Sequence, residues 1–400
     1  MESLSAYELK AALAELGYSV SVTQDNGSAS VNNQSILIGK TAATAGEMPS
    51  GNQYRITAAN NGRIQISAGS YYGYRAALAS IINEVKENDG IYAGAYSGDA
   101  DLANADRATN DSVRVAFYNV LGYDWISLAG GSDKAAAENT PPVALRQDLQ
   151  RDILSAYLPD VIGFQEYVNE YRSDFGTIMT GLEYTEVPTT QAKNNSPIFY
   201  RADKLSVVDS GFTLYTSEAS ASNKRGVTWA VFEDQAGNKL AVLNTHFLHT
   251  NASDFSATEH EDSAATVLSV ISTIKETYGN DIAVIFGGDL NFKNGTGTAY
   301  TSLTNGGLTF ASEIEGVQTN AGSTYSVHGF YLYNGNGDNV YDLTQSNLLN
   351  ANPQKPQYTY DYIFVGDESS ITVKKYIIVE EDATLRASDH SPTLIDLVFH

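Results

Sequence analysis

The sequence predicts a mixed α/β or α+β protein of two domains. Its 400 residues are too many for one ordinary core, and its 42% hydrophobic content is that of a globular protein. Short apolar runs, typical of buried strands, alternate with segments of helical periodicity. We therefore expect a small α/β accessory domain at 1–87, a linker at 88–110 and a larger α/β domain at 111–400.

The accessory domain contains two helical patterns and four short strand-like runs. Apolar residues recur on one helical face at 5–17 and again at 74–85. The strand-like runs are Tyr18–Val22, Ile36–Ile38, Tyr54–Thr57 and Arg63–Ile66. The last two flank Asn61-Gly62, the strongest short-range signal for a β-hairpin. Residues 88–110 are rich in Asn, Asp, Ala and Gly with little apolar periodicity, which is typical of a linker.

From residue 111 the pattern changes to longer apolar strands separated by helices. Helical periodicity covers 143–158 and 263–278. The predicted strands are 113–119, 161–166, 196–200, 228–233, 240–246, 282–286, 358–365, 371–379 and 393–399. This mixture predicts a single α/β or α+β domain of about 290 residues.

Composition excludes several kinds of protein. The formal net charge of −23 works against tight, sequence-independent binding to nucleic acid or anionic lipid. There is no cysteine, so disulfides, thiolate metal sites and thiol nucleophiles are excluded. No stretch is long and apolar enough to span a membrane. An acidic, cysteine-free chain rich in Ser, Thr, Asn, Gly and Tyr is typical of a secreted bacterial protein, although no signal peptide is visible here.

The stretch Ile282–Asn291 organises the second domain. Five apolar residues predict a buried strand, and Gly287-Gly288 predicts a tight turn after it. Asp289 and Asn291 follow, two residues apart, so their side chains are expected on the same side, facing one ligand. An Asx turn that simply closes the strand is the alternative.

Polar residues end other apolar strands in the same way. The full set is Asn119, Glu166, His246, Asp289, Asn291, Asp361, Asp389 and His390. Each residue alone has a structural explanation, such as a turn, a solvated strand end or a satisfied core histidine. Their shared position at strand ends in six segments instead favours one functional site.

The chemistry of this set fits a divalent-cation site for phosphoester cleavage. Carboxylates and amide oxygens are hard ligands suited to Mg²⁺ or Mn²⁺, with Ca²⁺ as a further candidate. With six histidines and no cysteine, a zinc cage is disfavoured. A histidine held in one tautomer by an aspartate can move protons near neutral pH, and Asp361 is the candidate partner of His390.

Residues 111–400 resemble the endonuclease/exonuclease/phosphatase superfamily, the deoxyribonuclease I-like proteins. The matching segments are Tyr118-Asn119-Val120, Pro159–Glu166, Asn244-Thr245-His246, Gly288-Asp289-Leu290-Asn291, Tyr360-Asp361-Tyr362-Ile363 and Ser388-Asp389-His390-Ser391-Pro392. All occur in the family's order and span nearly the whole domain. The resemblance implies a four-layer α/β/β/α sandwich, two packed sheets with helices outside.

The resemblance also implies a role for each site residue. Glu166 would be the principal metal ligand, with Asn119 and Asp389 nearby, and Asp289 would position or deprotonate the attacking water. His246 and His390 would bracket the scissile phosphate, with Asp361 behind His390. Asn119, Asn291 and Arg225 would contact the substrate phosphate, and an exposed, merely solvated arginine is the alternative for Arg225.

Residues 30–85 resemble the small domain that precedes the barrel in hexosaminidase-type glycosidases. The resemblance lies in Ile36–Thr41, in the Asn61-Gly62 hairpin and in Ala68–Gly73 before a helix. It implies an accessory domain whose partner is carbohydrate or a cell surface, with structural support as the alternative.

These observations predict a metal-dependent phosphoesterase that hydrolyses a phosphodiester or phosphomonoester by in-line attack of activated water. An extracellular non-specific nuclease is one alternative, although no basic surface for nucleic acid is evident. A carbohydrate- or surface-binding protein with an inactive hydrolase domain is the other. The fold alone does not decide the substrate.

Overall fold

The computed structural model describes most of the chain. The described residues are 2–23, 35–39, 48–58, 63–88, 96–100, 102, 105–122, 143–189, 195–216, 225–252, 255–293, 295–320, 325–327, 358–366, 369–381 and 383–400. They group into two compact units, the first from the described residues of 1–105 and 143–156 and the second from those of 106–122, 157–327 and 358–400. The predicted domain boundaries remain predictions.

The first unit is a four-stranded sheet with helices. Its elements are α1 (Glu2–Glu15), β1 (Ile36–Ile38), β2 (Gln53–Ala58), β3 (Ile64–Ala68), α2 (Tyr71–Glu87), β4 (Tyr96–Asp99) and most of α3 (Val143–Tyr157). The strand order is β1-β3-β2-β4. Ser70 begins α2 by accepting a hydrogen bond from the Gly73 N–H, and apolar residues of α1, α2 and the sheet form one core.

In this unit one predicted strand does not form, whereas the two strands of the predicted hairpin pair with each other. Residues 18–22 form no strand; Val20 packs against the core, and no strand of the described residues pairs with this segment to supply ladder hydrogen bonds. The predicted hairpin strands pair as antiparallel β2 and β3, with Ile56 opposite Ile66. The Asn61-Gly62 turn itself lies outside the described residues.

The second unit contains two larger sheets. Its strands are β5 (Val113–Asn119), β6 (Val161–Gln165), β7 (Tyr184–Glu186), β8 (Ile198–Arg201), β9 (Leu205–Leu214), β10 (Gly226–Asp234), β11 (Lys239–His246), β12 (Ala283–Asp289), β13 (Leu308–Phe310), β14 (Gln318–Thr319), β15 (Asp361–Gly366), β16 (Ile371–Ile378) and β17 (Thr393–Phe399). Its helices are α4 (Asn169–Gly181), α5 (Glu259–Tyr278), α6 (Thr298–Asn305) and α7 (Thr384–Ala387), with a 3₁₀ turn at Ala311–Glu313. Among these, α5 begins four residues before its predicted start, with acidic residues in its first turn.

The strand orders place the predicted site strands next to one another. The six-stranded sheet has the order β13-β15-β12-β11-β10-β9, and the seven-stranded sheet has the order β14-β16-β17-β5-β6-β8-β7. Strands β11 and β12 run parallel, as do β5 and β6, so each pair ends at the same sheet edge.

The layers of this unit confirm the predicted four-layer sandwich. Apolar side chains from both sheets, including Phe117 and Ile285, form the central core. Outside the six-stranded sheet, Val267 and Ile271 of α5 pack in a second core. Outside the seven-stranded sheet, α4 contributes buried Phe175, whose ring packs edge-on against Phe164 at 5.8 Å.

The predicted turn at Gly287-Gly288 is wrong, because β12 continues through both glycines to Asp289. The glycines serve close packing instead. A Cβ on Gly287 would lie 2.6 Å from the Phe117 ring and the Tyr362 carbonyl oxygen. Gly288 has φ of +128°, and a Cβ there would lie 2.0 Å from the Thr245 carbonyl oxygen. No helix in the described part of the chain could cross a membrane.

Candidate active site

Strand register brings the predicted site residues of both sheets together. In the six-stranded sheet, His246 pairs with Asp289 and Asp289 pairs with Asp361. In the seven-stranded sheet, Asn119 ends β5 beside Gln165, and Glu166 follows directly. The cluster is therefore fixed by hydrogen-bonded strands.

Asp289 lies at the centre of the cluster and is 2% exposed. Its Oδ2 accepts a hydrogen bond from Asn119 Nδ2 at 3.1 Å and lies 3.4 Å from His246 Nε2. Its Oδ1 accepts from the Asn291 N–H at 3.0 Å. Since Asn119 comes from the other sheet, this contact joins the two halves of the site.

His390 and Asp361 form a buried pair. The Nδ1–H of His390 donates to Asp361 Oδ2 at 2.8 Å, which leaves Nε2 directed toward Asp289, 3.8 Å from its Oδ2. Ser388 accepts from the His390 N–H at 3.3 Å and donates to the Asn119 carbonyl at 2.7 Å. This arrangement fixes the orientation of the imidazole, with Nδ1 against the Asp361 carboxylate.

His246, like His390, approaches Oδ2 of Asp289 through Nε2. Its side chain is buried, and its Nδ1 has no hydrogen-bond partner among the described residues. Arg225 approaches from the neighbouring strand, with Nη1 at 3.4 Å from the His246 carbonyl oxygen. Burial lowers the pKa of Arg225, while the carboxylates of Glu166 and Asp289 oppose that shift. Arg225 is therefore a half-buried cation of the site and not an exposed, solvated one.

Asn291 adopts a left-handed conformation with φ of +53°. Its Nδ2 donates to the Phe247 carbonyl at 3.0 Å, and its N–H holds Asp289. Asn291 is therefore anchored beside Asp289 just past the strand end, and the bond from its N–H to Asp289 Oδ1 forms the Asx turn given above as the alternative.

Glu166 also has a positive φ, +56°, immediately after β6. Its Oε1 accepts from Asn119 Nδ2 at 3.3 Å and its Oε2 accepts from the Gly122 N–H at 3.2 Å. Burial raises its pKa, and the nearby charge of Asp389 raises it further. Asn119 thus contacts Glu166 directly, and the charge of Asp389 raises the Glu166 pKa while His390 and Arg225 oppose that shift.

The surroundings shift the pKa values of Asp289, His246 and His390 by different causes and in different directions. Burial raises the pKa of Asp289 to about 7, with Asp361 and Glu166 adding to the shift and His390 opposing it. Burial, Arg225 and His390 hold the pKa of His246 well below its usual range. Burial lowers the pKa of His390, but Asp361 and Asp389 outweigh it and raise this pKa well above its usual range. At neutral pH the site combines a neutral with a protonated imidazole.

Two groups of residues could hold a divalent cation. Side-chain ligand atoms of Asp289, Asp361 and His390 lie within 4.8 Å of one another. However, Asp361 and His390 already bond to each other, an arrangement typical of an oriented proton donor. Glu166 and Asp389, with the amide oxygen of Asn119, offer a second set of oxygen donors suited to a hard cation.

Gln165 and Asn244 were not among the predicted site residues, yet both are completely buried beside the site. Gln165 Nε2 donates to Asn244 Oδ1 at 2.6 Å, across the two sheets. Asn244 Nδ2 donates to the Phe164 carbonyl at 2.9 Å. Gly163 leaves the required space, since a Cβ there would lie 2.5 Å from the Asn244 side chain. An amide inside an apolar strand, one or two residues before a site residue, was the available signal.

A two-sheet sandwich with carboxylates, amides and two imidazoles at its strand ends defines a hydrolase-type site. The Endonuclease/Exonuclease/phosphatase family model matches residues 116–390, so the chain belongs to this family of phosphate-ester hydrolases. The match begins after β4, and the resemblance of residues 30–85 to a glycosidase accessory domain remains a prediction. The comparison with curated proteins gave no match.

Solved structures share the fold at low sequence identity. A family member from Bacteroides vulgatus is 23% identical with a TM-score of 0.53, over 72% of this chain and 99% of that one. A mannosyl-6-phosphatase from Bacteroides thetaiotaomicron is 22% identical with a TM-score of 0.52, over 72% and 100%. ANGEL2, a 2′,3′-cyclic phosphatase, is 14% identical with a TM-score of 0.51, over 73% and 97%.

Proposed function

We propose that this protein is a divalent-metal-dependent phosphoesterase in which Asp289 activates the attacking water. The observation that carries the proposal is the position of the Asp289 carboxylate, between a neutral and a protonated imidazole and in contact with Asn119. A carboxylate with a pKa of about 7 is matched to accepting a proton from water near neutral pH.

Glu166, Asn119 and Asp389 would hold the cation. When bound, a Mg²⁺, Mn²⁺ or Ca²⁺ ion would neutralise phosphate charge near the leaving oxygen. The donor set fits such an ion, because the Asn119 amide oxygen receives one N–H, from Leu121, and keeps a lone pair. The Glu166 carboxylate accepts hydrogen bonds from Asn119 and Gly122 at 3.3 and 3.2 Å, and it supplies a negatively charged oxygen ligand.

The protein side chains complete an in-line displacement. Water loses a proton to Asp289 as its oxygen forms the new bond to phosphorus, while the bond to the leaving oxygen breaks on the opposite side. His390, kept protonated by Asp361, donates a hydrogen bond from Nε2 to a phosphate oxygen on which negative charge develops. Neutral His246 donates to a non-bridging phosphate oxygen, and Arg225 and Asn291 help to orient the phosphate.

Hydrolysis of small phosphate esters tests the proposal directly. Bis-p-nitrophenyl phosphate and p-nitrophenyl phosphate separate diesterase from monoesterase activity, and sugar phosphates and nicked plasmid extend the panel. We expect turnover with Mg²⁺ or Mn²⁺, its loss in EDTA, and a decrease of about 10²–10⁴ in kcat for His246→Ala. His400→Ala, which removes an exposed histidine that contacts Thr372, is the matched control.

The other candidate functions predict different results. An extracellular nuclease would nick plasmid DNA far faster than it cleaves the small esters. A binding protein with an inactive domain would show no turnover with Mg²⁺, Mn²⁺ or Ca²⁺, and that result would refute the proposal.

Glu166→Gln tests the cation site. Because the change removes one negative charge from the proposed ligand set, we expect the Mg²⁺ concentration for half-maximal activity to rise about tenfold or more. Circular dichroism should show an unchanged fold. Glu183→Gln, at an 82% exposed side chain, is the control. If Glu166→Gln unfolds the protein instead, Glu166 is part of the scaffold and the assignment is wrong.

A further inference from the structure

A lysine and two tyrosines form a cluster beside Asp289 that the proposed chemistry does not use. The Tyr358 and Tyr360 rings stack at 5.6 Å with an interplanar angle of 12°. The Lys293 ammonium lies 4.0 Å from the centre of the Tyr358 ring. We call Lys293, Tyr358 and Tyr360 the rim cluster, because Lys293 is exposed and both tyrosines are half-buried.

The backbone that holds the catalytic residues also holds the rim cluster. The Tyr360 carbonyl accepts from the Leu290 N–H at 2.8 Å, one residue after Asp289. Tyr360 directly precedes Asp361, and Val327 forms bridges to both Tyr358 and His390. The backbone of both tyrosines is therefore fixed by contacts with the segments that carry Asp289 and His390.

Lys293 is held by an aromatic ring and a phenol. Burial raises the pKa of the Tyr360 phenol, and Lys293, which hydrogen-bonds to this phenol, lowers it. Among the described residues, no carboxylate forms an ion pair with Lys293. An ammonium held by an aromatic face and a phenol is ordered without being neutralised. Two of its three N–H donors stay available for a ligand.

Such a cation is unusual in this protein. The chain has only 24 Lys and Arg against 47 Asp and Glu. The other cation of the site, Arg225, interacts with Glu166 and Asp289. Lys293 therefore supplies positive charge at the rim that is not paired with any described carboxylate, and this favours an anionic ligand group.

We propose that the rim cluster is a specificity subsite, in which Lys293 binds a second anionic group of the substrate beyond the scissile phosphate. The inference rests on the proposed phosphoesterase function and deepens it. It assigns the substrate to phosphate esters that carry another negatively charged group, such as a second phosphate, next to the reacting one. The tyrosines order the ammonium and are positioning residues.

Matched substrates that differ by one phosphate test this subsite. The diester pair is the p-nitrophenyl ester of thymidine 5′-phosphate, with and without a 3′-phosphate. The monoester pair is glucose 6-phosphate and glucose 1,6-bisphosphate. We expect Lys293→Ala to lower kcat/KM at least about tenfold for the doubly phosphorylated member and less than about threefold for the other.

Further variants separate charge from structure. Tyr358→Ala should reproduce part of the Lys293→Ala effect, while Tyr358→Phe, which keeps the aromatic face, should retain the wild-type preference. Lys204→Ala removes an exposed lysine in the turn before β9 and should leave both rates unchanged. An equal loss on both members of a pair, or no loss on either, would overturn the proposal.

Binding distinguishes failure of the subsite from failure of the proposed function. If wild-type protein turns over neither pair with any of the three metals, the phosphoesterase proposal fails. Calorimetric titration of the same ligands then still tests the rim cluster. A Kd at least about tenfold weaker for the doubly phosphorylated ligand in Lys293→Ala would support it. Equal Kd values in wild type and Lys293→Ala would refute it.

Discussion

At the scale of single residues, Asp361 sets the charge of His390. Its carboxylate is completely buried and accepts from His390 Nδ1 at 2.8 Å, and it is one cause of the raised His390 pKa. An imidazole that stays protonated can donate to a phosphate oxygen up to higher pH.

Asp361→Asn should therefore move the alkaline limb of the pH–rate profile. Removing the carboxylate lowers the His390 pKa, so the protonated donor is lost at lower pH. We expect kcat to fall by about 10²–10⁴ and the alkaline limb of kcat/KM to shift down by about one pH unit or more. A pH–rate profile measured from pH 5 to pH 10 provides the check. A uniform loss of rate with no shift of the limb would contradict this role.

The burial of Asp289 makes the folded protein less stable as pH rises. Its pKa is raised from 3.8 to about 7, so between these values the folded state binds more protons than the unfolded state. Stability contributed by this group is present below pH 4 and is lost as pH increases through about 7.

Asp289→Asn should therefore stabilise the metal-free protein at high pH. In EDTA at pH 8 we expect the Tm to increase by roughly 3–10 °C relative to wild type, with little difference near pH 4. Thermal unfolding followed by circular dichroism measures both. Asp281→Asn, at an exposed residue before β12, controls for a general charge effect. A gain of the same size at both pH values would show that titration of Asp289 is not the cause.

At the scale of elements, the end of β12 depends on glycine. Gly288 combines a left-handed φ with a carbonyl oxygen where its Cβ would lie, so an alanine must displace β11 or distort β12. His246 ends β11 and Asp289 ends β12, so either distortion moves a site residue.

Gly288→Ala should consequently reduce both stability and activity. We expect about 2–5 kcal/mol less stability from urea unfolding, together with a kcat lower by about tenfold or more in protein that remains folded. Gly181→Ala provides the comparison, since a Cβ at that position would have no atom within 4 Å and its φ is not left-handed. Wild-type stability of Gly288→Ala would show that the strand end adapts freely.

Apolar patterning predicted most site-bearing strands, because their residues are buried on both faces. Val161–Gln165 and Ala283–Asp289 are continuously buried, and such runs are visible in sequence. In contrast, β9 was missed because its residues alternate irregularly between exposed and buried, with Asp209 and Ser210 in the middle. Helix α4 was missed as well.

The candidate site was predictable as a set of residues but not as a geometry. Six strand ends with polar residues indicated a common site, and register then brought Asp289 beside Asp361. The roles of Gln165 and Asn244 depend on contacts between the sheets, and the rim cluster depends on ring stacking. Neither kind of contact produces a periodic pattern in the sequence from which it could be predicted.

At the scale of the whole molecule, the net charge of −23 opposes the approach of a phosphate ester. Salt screens charges separated by more than about 10 Å at 0.1 M ionic strength, so the general repulsion weakens while close contacts persist.

Activity should therefore increase with moderate salt. At fixed Mg²⁺, raising NaCl from about 20 to about 150 mM should increase kcat/KM about two- to fivefold for a doubly charged monoester, with a smaller increase for a singly charged diester. Initial rates below KM measure this. A steep fall in rate with salt would indicate a dominant attractive field and contradict the expectation.

The order of the seven-stranded sheet has a consequence for biosynthesis. The last strand in the sequence, β17, lies between β16 and β5 in the interior of that sheet, and His390 lies three residues before it. During synthesis, a chain that has not yet reached His390 therefore lacks both an interior strand of this sheet and one residue of the candidate site. The sheet and the site can be completed only after this strand has been made.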